Sequence, residues 1–99
     1  FISTPDGRIV SGASLTIYLV ANATGVGQAQ IYQPDIDNVI VRILKNQFYT
    51  DDTTKYLLDT TRQFLGDQIS ISLAYLDEPI APSASGKHRF SISEVDPFA

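Results

Sequence analysis

Apolar and polar residues alternate along much of the chain, and the period is mostly two. In Ser14-Leu15-Thr16-Ile17-Tyr18-Leu19-Val20-Ala21, Leu15, Ile17, Leu19 and Ala21 share one face of an extended segment. Thr16, Tyr18 and Val20 take the other face, and the β-branched and aromatic content favours a strand. After a loop at Asn22-Ala23-Thr24-Gly25-Val26-Gly27, which contains a formal glycosylation triplet, Gln28 to Gln33 reads as a shorter strand. Pro34-Asp35-Ile36-Asp37-Asn38 ends it. Val39 to Leu44 is nearly continuous in hydrophobicity, the pattern of a strand covered on both faces. Gln68 to Leu76 puts Ile69, Ile71, Leu73 and Tyr75 on one side and Ser70, Ser72 and Ala74 on the other. His88 to Ser93 closes the series, with Phe90 and Ile92 inward.

Residues Thr53 to Leu65 support two readings. As a helix, Leu57, Leu58, Thr61, Phe64 and Leu65 fall on one face, with Asp51, Asp52 or Thr53 as the cap and Gly66 as the stop. As a strand, Lys55 to Thr61 carries Tyr56, Leu58 and Thr60 on one side. The helix is marginally ahead on pattern. The expected core is Leu15, Ile17, Leu19, Val41, Ile43, Ile69, Ile71, Leu73, Phe90 and Ile92.

Six to seven short strands at intervals of about 8–12 residues predict an all-β fold, a single antiparallel β-sandwich over residues 1–99. One short helix at 53–65 would be added if the helical reading holds, and residues 94–99 would begin a linker. The stretch Gly66-Asp67-Gln68-Ile69-Ser70-Ile71-Ser72-Leu73-Ala74-Tyr75-Leu76-Asp77 resembles the penultimate strand of bacterial and phage immunoglobulin-like or fibronectin type III-like modules. Ser85-Gly86-Lys87-His88-Arg89-Phe90-Ser91-Ile92 is similar to the returning strand of their hairpin. The resemblance implies an immunoglobulin-like sandwich acting as a spacer, adhesive unit or virion decoration. The tryptophan and cysteine pair of antibody-type domains are missing.

Composition narrows the setting. A chain of 99 residues accommodates one core, and 43% apolar with 18% charged residues argues against disorder. Seven basic against eleven acidic side chains give a charge of −4, and the basic ones are scattered. Nucleic-acid and membrane-surface partners are therefore disfavoured. The apolar runs are too short for membrane insertion. Without cysteine there are no disulfides, thiol nucleophiles or thiolate metal sites. A chain that opens at Phe1 and contains no methionine reads as an excised piece of a longer protein. With a sandwich fold, this places it outside the cell, at a cell surface or on a virion.

Candidate chemistry is sparse. The single histidine, His88, lies between Lys87 and Arg89, where cationic neighbours discourage both protonation and metal binding. Gly25-Val26-Gly27 lacks the third glycine of a dinucleotide fingerprint. The chain is therefore not expected to be an enzyme, and no cofactor is expected. Loop carboxylates Asp35 and Asp37, and separately Asp51 and Asp52, are hard oxygen donors that could converge on calcium, although such residues also serve as solvated turn formers. Phe48 and Tyr49 are candidate ligand contacts, since flat aromatic faces stack on glycan rings. Gln28 to Gln33, stopped by Pro34, reads as an edge strand. Tyr18, Gln28, Gln30 and Tyr32 are then the candidate protein-contact residues, toward other modules or copies of the same chain. The expected function is a non-catalytic structural or protein-contact module. The alternative is a module for glycan or calcium-assisted ligand recognition.

Overall fold

The computed structural model describes residues 1–79 and 91–95. Ile2–Ser3 (β1) and Ile9–Val10 (β2) form an antiparallel ribbon. Its turn is closed by the Thr4 carbonyl, which accepts from the Gly7 N–H, and by the Arg8 carbonyl, which accepts from the Thr4 N–H. Helix α1 (Gly12–Asn22) follows, then strands β3 (Val26–Asp35) and β4 (Asn38–Lys45). Helix α2 (Asp51–Leu65) leads to β5 (Ser70–Tyr75), and β6 is Ser91–Ser93. The second sheet runs β5-β4-β3-β6, with β3 and β4 antiparallel at its centre and each outer strand parallel to its neighbour.

The architecture is mixed α/β, which overturns the expected all-β, immunoglobulin-like sandwich. The decisive segment is α1, expected as a strand. Its buried residues are Gly12, Leu15, Thr16 and Leu19, a helical spacing of three and four, with Ala23 continuing the line. Ile17, which alternation would bury, is 70% exposed. Leu15 and Leu19 satisfy both periods, so the apolar residues between them hid the helical one. Ser11 caps the start by accepting the Ser14 N–H at 3.2 Å.

The helical reading of residues 53–65 is the one the fold adopts, with the helix beginning at Asp51. Asp51 and Asp52 lie in its first turn, favourable for the helix dipole. Thr53 accepts from the Thr50 N–H and donates to the Thr24 carbonyl, fixing the helix start to the α1–β3 turn. At the far end Arg62 donates to the carbonyls of Gly66 and Ile69, both at 3.1 Å.

The expected edge strand is interior. β3 pairs with β4 from Val26 to Asp35, and its other side takes β6 at Ile31, Tyr32 and Gln33. Pro34 does not stop it, because the register shifts between Tyr32 and Asp35 and this irregularity absorbs the missing donor. Leu15, Leu19, Ala29, Ile31, Val39, Val41, Ile43, Leu57, Leu65 and Ile69 are buried in one cluster with Ile2. Ile71, Leu73 and Phe64 pack partly buried against it. Gln33, fully buried, ties three elements together: it accepts the Ser3 N–H and the Ser93 hydroxyl and donates to the Ser3 carbonyl. Phe90 and His88 lie outside the described residues.

Candidate functional site

Every second residue of the sheet points away from the helices. Val39, Val41 and Ile43 are fully buried beneath α1 and α2, while their neighbours Ile40, Arg42 and Leu44 are only half-buried. Register extends this second face across the sheet. Tyr32 stands opposite Ile40 and beside Ile92, Gln30 opposite Arg42, and Gln28 opposite Leu44, with Ser72 and Ala74 on β5. No described helix or strand lies on it.

At its centre, Arg42 extends over the Tyr32 ring, 4.6 Å from the centroid, and donates to Gln30 Oε1 at 3.0 Å. The stacked ring and the amide acceptor hold the guanidinium in one orientation. Among the described residues the one ion pair joins Arg8 to Asp6, so no carboxylate there meets Arg42.

A second cluster occupies the carboxyl ends of the parallel strands β4 and β5, where α2 begins. Lys45 Nζ lies 4.4 Å from the Tyr75 ring centroid and 5.3 Å from that of Tyr49, and the two rings meet edge to face at 5.9 Å. The Tyr49 hydroxyl is 2.7 Å from that of Thr54 and 3.3 Å from that of Tyr75. Burial raises the Tyr49 phenol above its ordinary value. The Tyr75 phenol is lowered, chiefly by the hydrogen bond with Tyr49, with the Lys45 charge contributing. Phe48 beside them is 61% exposed. Open α/β sheets commonly bind ligands at the carboxyl ends of their strands.

Comparison with known families resolves the kinship of this fold. The family described as the CapK C-terminal domain matches residues 2–94, nearly the whole chain. The chain belongs to the CapK C-terminal domain family. No curated protein and no solved structure shows significant similarity to it.

In this CapK C-terminal domain the residues singled out from sequence are dispersed. Gln28, Gln30 and Tyr32 do share one surface, the sheet face opposite the helices. Tyr18 does not join them: it lies on α1, across the sheet, with its ring 5.6 Å from Phe64. Its phenol is raised by a hydrogen bond with Tyr56 and the charge of that neighbour. Phe48 and Tyr49 sit together at the α2 end, where Lys45 and Tyr75 join them. Asp35 and Asp37 are at the β3–β4 hairpin, the opposite end of the sheet from Asp51 and Asp52, so the two acidic pairs do not converge. The Asp35 carboxylate already accepts from the Asp37 N–H and the Asn38 amide. Among the described residues no group of three His, Cys, Asp or Glu side chains could hold a metal.

Arg42 is the residue that sequence reasoning missed. Its signal was present: a single charge inside the otherwise apolar run Val39 to Leu44, in the alternating position that leaves Val41 and Ile43 inward.

Proposed function

We propose that this domain is a non-catalytic protein-contact module that docks onto the remainder of a longer protein through the open face of its sheet. The observation that carries the proposal is that face itself, with Tyr32, Ile40, Leu44 and Ile92 half-buried around Arg42 and no described element over them. Parallel strand pairs are ordinarily covered on both sides, and aromatic and arginine side chains are enriched in contact surfaces. The family name, a C-terminal domain, supports a role as one part of a larger chain. Titrating this domain against the remainder of its parent polypeptide by calorimetry tests the reading. Ile40→Asp should weaken association at least about tenfold, a loss of about 1.4 kcal/mol, while leaving the melting temperature within a few degrees. Unchanged affinity in a folded Ile40→Asp protein would refute the docking face.

A second reading is favoured by the Lys45, Phe48, Tyr49 and Tyr75 cluster. Exposed aromatic edges beside an ammonium would contact a planar ligand held between this domain and its parent. Phe48→Ser would then reduce ligand affinity of the assembled protein without changing domain association.

A further inference from the structure

Among the described residues placed on it, the sheet face opposite the helices carries one charge, and its surroundings specify what should meet it. Gln30, Tyr32, Ile40 and Leu44 surround Arg42 there, and of these five only Arg42 is ionised. It is half-buried, stacked on Tyr32, and has one side-chain hydrogen bond, to Gln30. A guanidinium presents five donors in a planar fork, so most of its capacity is unspent toward described residues. The protein as a whole is acidic, at −4. A pre-oriented arginine flanked by Tyr32, Ile40 and Leu44 matches the arrangement of a binding hot spot.

Resting on the docking role proposed above, we propose that the partner surface presents an aspartate or glutamate carboxylate that seats on Arg42 between Tyr32 and Leu44. The carboxylate accepts two parallel N–H bonds from the fork, and closure of the interface excludes water from the pair. A phosphate-bearing partner is disfavoured, because a single cation on a net-acidic chain gives little attraction for a polyanion.

Association of this domain with the remainder of its parent protein, measured by calorimetry, distinguishes the outcomes. Arg42→Met should weaken it at least about tenfold, and Arg42→Lys should recover only part of the loss because an ammonium lacks the fork. Arg42→Gln keeps a polar neighbour for Gln30 at a half-buried position and removes only the charge and the fork. It should also weaken association while leaving the melting temperature within a few degrees, which keeps the test valid if Arg42→Met folds poorly. Unchanged affinity in both Arg42→Met and Arg42→Gln, alongside a loss in Ile40→Asp, would overturn the carboxylate partner and leave the docking face standing. Loss in none of the three would overturn both. Competition by millimolar inorganic phosphate that disappears in Arg42→Met would assign the guanidinium to a phosphate and reject the carboxylate.

Discussion

Gly25 lies at φ 83° where α1 gives way to β3, and a Cβ added there would collide with the Tyr49 backbone. That close approach brings the α1–β3 turn against the loop carrying Phe48 and Tyr49, and Asn46 N–H donates to the Gly25 carbonyl at 2.9 Å. Gly25→Ala should therefore destabilise the fold by about 1–3 kcal/mol, from the positive φ together with the displaced loop. Chemical denaturation measures it, and a loss below about 0.5 kcal/mol would contradict the contact. The neighbouring tyrosines make a second residue-scale prediction. Tyr75 is depressed and Tyr49 raised, so the Tyr75 phenolate should form first in an alkaline titration followed by ultraviolet absorbance. Tyr75→Phe should remove the early step. The two shifts have opposite consequences for stability. The Tyr75 contribution is present above its unfolded pKa of about 10 and lost as pH falls through the lower folded value. The Tyr49 contribution is present below about 10 and lost as pH rises through its higher folded value.

The elements differ in how plainly their period shows. α2 has an amphipathic face, acidic residues in its first turn and Gly66 at its end, and each signal points to the same helix. In α1 the residues flanking the buried line are themselves apolar: Ile17, Tyr18 and Val20 are all exposed. Against that background a period of two and a period of 3.6 fit equally well, and β-branched content tipped the reading to strand. A strand would bury Ile17 and Leu19 alike. The helix predicts instead that Leu19→Ala costs about 2–5 kcal/mol and that Ile17→Ala stays within about 0.5 kcal/mol. Equal losses in urea denaturation would restore the extended reading.

At the scale of the whole molecule, both helices lie on the same face of the sheet, so that surface is core and, among the described residues, the other carries no helix. The same topology puts the two acidic pairs at opposite ends. Millimolar calcium should consequently leave the melting temperature unchanged. A rise that Asp35→Asn abolished would show a metal site at the hairpin. By itself, the sequence determined the inward residues of β4 and β5, the β3–β4 turn, the end of α2 at Leu65, and the shared surface of Gln28, Gln30 and Tyr32. Local period and turn chemistry act within a few residues and are written directly in the chain. The helical state of α1, the interior position of β3 and the setting of Arg42 were decided by tertiary structure. Each depends on which distant segment packs alongside: α1 gains its buried line chiefly against β3, with α2 and β6 beside it, and β3 becomes central only when β6 joins its second side. Arg42 becomes a contact candidate only because both helices settle on the opposite face.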